Sequence, residues 1–433
     1  MHPSTARLRS GLGLPRPPKR QTSSSRFGRA ERNYNPSTWN EYFDEKKDLD
    51  LDGDIFRVYI KEDKNTAENL PLLVLLHGGG FSGLTWSLFV QSIDTLCHVR
   101  ALAIDLRGHG SSKTTDDENL SIACFVNDIN RILNHLYLNN IPELILMGHS
   151  MGGAIAVHYA DKCTDDYISS RISGLIVIDV VEGTAKEALS AMQQVLRARP
   201  KGFRSLAYAI EWCVRSGQTR NLTAAKISMP GQIKYLKTGQ CASDVDLSSL
   251  TTKTNETSIS QSSTESFDEL PCSLESKKKI KLEPLESRIV EEDEDMDGID
   301  AQKKNDYLSD SSKNVFKKPQ IQTQVEIQHE FVWRINLAKT EPFWTEWFDD
   351  ISKIFLGSKG GAKLLLLAGV DRLDGPMTVG QMQGKFQMQI LPKVGHTIQE
   401  DDPDSVAEVV AAYLIRNRFS TPKTQFVRSF PSC

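Results

Sequence analysis

The run from Ile145 to Gly153 constrains this chain more than any other stretch. Ile145, Leu146 and Met147 read as a short apolar strand. It leads directly into Gly148-His149-Ser150-Met151-Gly152, and a small-residue helix, Ala154 to Ala160, follows. A serine between glycines two positions to either side, set between a buried strand and an Ala-rich helix, is the pattern of a nucleophile elbow. The turn lifts the Ser150 hydroxyl clear of a sheet. It also aims the backbone N–H of Met151 at an oxygen that becomes negative during acyl transfer. The competing reading is a Gly-rich strand–helix turn without chemistry.

The surrounding pattern supplies the sheet such an elbow needs. Ile55 to Ile60 alternates like a strand with one buried face, and Leu72 to Leu76 is a continuous apolar run, as in a strand covered on both faces. Val99 to Asp105, Leu144 to Met147, Leu175 to Val180, Leu364 to Ala368 and Phe386 to Leu391 read as further strands. Leu120 to Leu138 carries Ile122, Phe125, Val126, Ile129, Ile132, Leu133 and Leu136 at helical spacing, and Ser405 to Arg416 closes the chain as an amphipathic helix. Strands alternating with helices predict an α/β class with a mostly parallel, doubly wound sheet.

The periodicity stops between about residues 239 and 328, which are rich in Ser, Thr, Glu, Asp and Lys. Such composition buries too little apolar surface to offset chain entropy, so the stretch reads as a disordered insertion. Because a strand pattern resumes after it, the insertion is expected inside a helical cap over residues 184–355. Trp333, Trp344, Trp347 and Phe348 are expected in the second part of this lid. Residues 1–35, basic and rich in Pro and Ser, read as a mobile tail before a domain spanning 36–433.

A serine hydroxyl needs a base within hydrogen-bond reach. His396 follows the last expected strand and precedes the last helix, the place of the base in this order of elements. Gly395 is expected to let the loop carry the imidazole over the sheet edge. His149 should pack beside its strand, and His158, His98 and His329 suit the role less well. For the acid that orients the imidazole there are two answers. Asp179 ends the strand after the nucleophile; Asp371 and Asp374 follow a later strand, and spacing slightly favours the later pair. His77-Gly78-Gly79-Gly80 follows an early strand and suits the second oxyanion donor, with Gly79 preferred and Gly80 or Phe81 as alternatives. The run Asp105 to Ser112 reads as structural, holding a loop beside that turn. Together these parts specify acyl transfer to water in an α/β-hydrolase fold. No organic cofactor is needed, and no metal-ligand spacing is evident.

Several blocks then resemble the protein phosphatase methylesterase family. They are Gly148 to His158, Ile178 to Ala185, Leu364 to Asp374, and Gly380 to Gln387 followed by Gly395-His396. The similarity runs from about residue 36 to the C-terminus apart from the insertion, and that family also carries a charged insertion at this place. The resemblance implies removal of a methyl ester from the C-terminal leucine of the protein phosphatase 2A catalytic subunit. It also implies a triad of Ser150, Asp179 and His396, which reverses the preference for the later acid.

Other features set limits. A net charge of −4 implies no nucleic-acid partner, and no apolar run approaches membrane-spanning length. The seven cysteines show no CxxC pair, which suits reduced thiols and a cytosolic or nuclear protein. Asn119, Asn221 and Asn255 head accidental glycosylation matches. In the insertion, Ile289 with Glu291 and the following acids could dock a phosphatase regulatory subunit, and Lys277 to Lys281 could serve nuclear import. In each case a solvated charge run is the default. Two other classes compete with a protein methylesterase. One is a general small-molecule esterase, which would show an open apolar acyl pocket. The other is a non-catalytic partner of the phosphatase, which would need no triad.

Overall fold

The computed structural model describes residues 32–64, 70–138, 140–183, 192, 196–246, 329–358, 361–369, 371 and 373–424. The tail at 1–31 and most of the expected insertion, 247–328, lie outside these residues. Almost all of the described residues fall in one compact unit, the chain up to Val245 and from Gln328 onward.

Ten strands occur among the described residues: β1 Glu45–Leu51, β2 Asp54–Lys61, β3 Leu72–Leu76, β4 Arg100–Ile104, β5 Leu144–His149, β6 Ile172–Ile178, β7 Ile233–Tyr235, β8 Phe331–Trp333, β9 Ala362–Leu367 and β10 Gln387–Ile390. Eight form one sheet in the order β1-β2-β4-β3-β5-β6-β9-β10, and β7 pairs with β8 apart from it. The first two strand pairs are antiparallel, β1 on β2 and β2 on β4; every other pair in the large sheet is parallel. This is the α/β-hydrolase fold.

The apolar runs explain the layering. Along β3, Leu72, Val74 and Leu76 enter one core, while Leu73 and Leu75 enter the other. β5 divides in the same way, Leu144 and Leu146 against Ile145 and Met147. Both faces must therefore be covered. The helices Ile122–Tyr137 and Met151–Lys162 cover one face; Ser87–Leu96 and Pro403–Arg416 cover the other.

Four expectations change. β1 has no counterpart among the expected strands. β2 does not alternate with one open face: only Ile55 is exposed, and even Arg57 is buried. The Arg57 guanidinium is held by Asp48 at 2.5 and 2.9 Å and by both oxygens of Asp244 at 3.0 Å. The chain therefore stays ordered to Asp244, within the stretch read as insertion. Finally, Trp333 lies on β8 and not on a helix. Trp344, Trp347 and Phe348 do occupy a helix, Glu341–Phe348, but all three are buried in the main core. Trp347 donates its indole N–H to the Leu120 carbonyl at 2.8 Å, which ties this cluster into the core.

Candidate active site

β5 ends at His149, and Ser150 caps the helix Met151–Lys162 with φ 52° and ψ −120°. A non-glycine residue is strained there, and such strain persists only where the surroundings fix it. The flanking glycines show what does so. A Cβ on Gly152 would lie 2.2 Å from the Leu76 carbonyl oxygen, and one on Gly148 would lie 2.1 Å from the Gly152 oxygen. The helix thus approaches β3, and the end of β5 approaches the helix, too closely for any other residue. Ser150 N–H is tied to the Ile178 carbonyl at 3.0 Å.

Asp179 lies one residue beyond β6, again with positive φ, at 53°. Its amide donates to the Leu366 carbonyl on β9 at 2.8 Å, and its Oδ1 accepts from Ala368 N–H at 3.1 Å. Oδ2 meets His396 Nδ1 at 2.8 Å. The carboxylate is fully buried, whereas the imidazole is 48 % exposed. Asp371 and Asp374 play other parts. Asp374 caps the helix Gly375–Met382 through Met377 N–H at 2.8 Å and accepts from Ser352 Oγ at 2.6 Å. The Asp371 carboxylate folds back toward Gly369. The structure thus brings Asp179, and not the later pair that spacing favoured, to His396, because β6 and β9 are neighbours and Asp179 faces the loop after β10.

Met151 N–H opens the helix whose N-terminus carries partial positive charge. Gly79 lies opposite: a Cβ added there would be 3.7 Å from Met151 Sδ and 3.7 Å from a methyl of Leu337. The turn 78–81 is closed by Phe81 N–H on the Gly78 carbonyl at 3.1 Å, with Gly80 at φ 82°. His77 anchors it from below. Its Nε2 accepts from Leu106 N–H at 3.0 Å, so Nδ1 carries the proton and donates to Gly78 O at 2.8 Å. Asp105 holds the neighbouring loop through Gly83 N–H at 2.6 Å and Ser111 N–H at 2.8 Å.

One residue does more than the sequence suggested. His149, buried completely, donates from Nε2 to the main-chain oxygen of His396 at 2.8 Å. Burial, with the nearby His396 adding to it, pushes the His149 imidazole down to about 3, so it stays neutral. A polar ring placed inside the elbow motif was the available signal. Among the described residues Ser150 Oγ makes no hydrogen bond, so its contact with His396 is open.

A cavity of about 600 Å³ is lined in part by Leu337, whose methyls also pack near Gly79 and Gly80. Arg199, Lys201, Trp333 and Trp344 also line it, and the Arg199 guanidinium stacks on Trp333 at 4.2 Å. Among the described residues no cluster of His, Cys, Asp and Glu has metal-binding geometry. No described helix is long and apolar enough to cross a membrane.

Residues 73–232 match the model of the Alpha/beta hydrolase family. The chain is similar to "Protein phosphatase methylesterase 1" of Mus musculus, 41% identical over 93% of this chain and 90% of that protein. It is also similar to the "Probable protein phosphatase methylesterase 1" of Caenorhabditis elegans, 36% identical over 98% and 89%. The Dictyostelium discoideum protein of the same name is 31% identical over 86% of this chain and 89% of that protein.

Proposed function

Since the chain belongs to the protein phosphatase methylesterase family, we propose that it hydrolyses the methyl ester on the C-terminal leucine of the protein phosphatase 2A catalytic subunit. The observation that carries this reading is the 2.8 Å bond between His396 Nδ1 and the buried Asp179 carboxylate, beyond the same carboxyl end of the strands as the strained Ser150.

Ser150 Oγ attacks the ester carbonyl carbon while His396 Nε2 takes its proton. Asp179 keeps Nδ1 protonated and stabilises the imidazolium. Met151 N–H and Gly79 N–H hold the oxyanion. His396 returns the proton to the departing methoxide oxygen, which leaves as methanol. Water, deprotonated by His396, then attacks the acyl-serine and frees the carboxylate. A methyl group offers almost no surface to recognise, so selectivity falls to the peptide before it. The cavity lined by Leu337, Trp333, Trp344, Arg199 and Lys201 supports this, since it offers both aromatic and basic groups to a peptide.

The open Ser150–His396 contact belongs to the same reading. Docking of the phosphatase closes it by induced fit. The test is methanol released from carboxymethylated phosphatase. Wild type is expected to release it; Ser150→Ala is expected to bind the phosphatase and release none. Equal turnover of a free methylated peptide and the intact phosphatase would remove the docking step.

A further inference from the structure

The His396 imidazole is half exposed and packs on the His149 ring with centroids 4.8 Å apart, so burial alone does not fix its place. Among the described residues two hydrogen bonds involve the residue itself: its Nδ1 donates to Asp179 Oδ2, and its carbonyl accepts from His149 Nε2. The chain on either side of it is tied elsewhere, to residues 218–220 between the helices Leu206–Arg215 and Leu222–Ser228. In the chain these helices fall between β6 and β9, outside the sheet.

The ties bracket the histidine. Arg220 Nη1 donates to the Lys393 carbonyl at 2.8 Å, three residues before it. Lys393 has φ 75°, a conformation a lysine keeps only under constraint. Asp401 is the second tie, its side chain 3 % exposed. Oδ2 accepts from Gly395 N–H at 2.6 Å, and Oδ1 accepts from Arg220 N–H at 2.7 Å. Thr397 Oγ1 donates to the Gln218 carbonyl at 2.9 Å, one residue past the histidine. Thr219 Oγ1 donates to the buried Glu400 carboxyl. Gly395 is explained by the same clamp and not by a special φ: a Cβ there would lie 2.9 Å from Asp401 Oδ2.

We infer that Arg220 and Asp401 are positioning residues for His396, so that the cap segment Gln218–Arg220 sets where the catalytic imidazole lies. A displacement of that segment is carried to the histidine loop from both sides. A partner that presses on the cap therefore acts on the base without touching it. This rests on the reading of His396 as the general base.

The test uses the full chain with Arg220→Ala, Arg220→Lys and Asp401→Asn. Arg220 is largely exposed, so its replacement leaves the core intact. Three quantities are read: the rate of Ser150 labelling by a fluorophosphonate, kcat and KM for p-nitrophenyl acetate, and the acid limb of kcat/KM against pH. Arg220→Ala and Asp401→Asn are expected to lower labelling and kcat by about tenfold to a hundredfold, the scale of a misplaced catalytic group, with KM unchanged. The acid limb is expected to move, and Arg220→Lys to recover most of the rate. Wild-type rates and an unmoved limb in both variants overturn the inference, as does a lysine variant no faster than the alanine one. A rate loss matched by an equal loss of folded protein in thermal melts also overturns it. Wild type labelled no faster than Ser150→Ala would instead sink the underlying assignment of the serine.

Discussion

His149 Nε2 and the main-chain oxygen of His396 stand 2.8 Å apart, joining the residue before Ser150 to the histidine loop. The donor is permanent across ordinary pH, because burial holds that imidazole near 3. His149→Phe keeps the volume roughly but deletes the N–H. It is expected to lower kcat by about tenfold to a hundredfold, the loss of one buried hydrogen bond, with KM little changed. His149→Gln places an amide nitrogen near the same point and should recover much of the rate. Steady-state kinetics on a small ester check both.

Asp179 and Asp374 make opposite predictions. Asp179→Asn leaves the shape intact but favours the wrong tautomer of His396, so kcat should fall about ten-thousandfold. Asp374→Asn touches a helix cap and the Ser352 hydroxyl. It should cost about 1 kcal/mol of stability and leave kcat near wild type. Kinetics with parallel urea melts separate the two.

Glu400 gives stability a pH dependence with a definite sign. Burial raises its carboxyl to about 7 from an ordinary 4.5. The folded state then binds the proton more tightly than the unfolded chain between those values. Its favourable contribution is complete below about 4.5 and is lost as pH rises through 7, on the order of 3 kcal/mol in total. The buried His149 acts in the other direction, losing stability as pH falls below 6.5 toward 3. Glu400→Gln leaves the histidine terms in place. The difference in melting temperature between this variant and wild type should therefore grow in the variant's favour from pH 5 to pH 8.

Asp244→Ala strips Arg57 of its better-buried partner and leaves the exposed Asp48 carboxylate. A buried guanidinium with half its partners should cost about 1–3 kcal/mol. A drop in the urea midpoint at unchanged slope checks this.

How much was legible follows from what each signal measures. Apolar runs fixed β3, β5 and β6 because burial on both faces writes itself into consecutive residues. Strand β1 escaped because Glu45, Lys46, Lys47 and Asp48 carry the charges that shield an edge. Trp333 was misplaced because its strand is three residues long and its partner, Ile233–Tyr235, lies far away in the chain. Ser150 and His396 stood out through local motif and chain order. Spacing alone did not separate Asp179 from Asp374, since both follow strands; the family resemblance pointed to Asp179, and the neighbouring of β6 and β9 is what brings it to His396. The ties at Arg220 and Asp401 join distant loops through backbone groups, which leave no mark on composition or periodicity.

The pairing of β7 with β8 has one more consequence. Lys234 bridges Cys241 on one side and Val332 on the other, and Leu236 N–H reaches the Glu330 carbonyl at 2.7 Å. The exit and re-entry of residues 247–328 are thus fastened side by side, like the two ends of a belt at one buckle. Whatever passes between them places little demand on the sheet, since closure entropy grows only with the logarithm of length. Shortening or exchanging residues 247–328 is therefore expected to leave the eight-stranded sheet unchanged. A chain with 247–328 replaced by a short Gly-Ser bridge should melt within a few degrees of the parent.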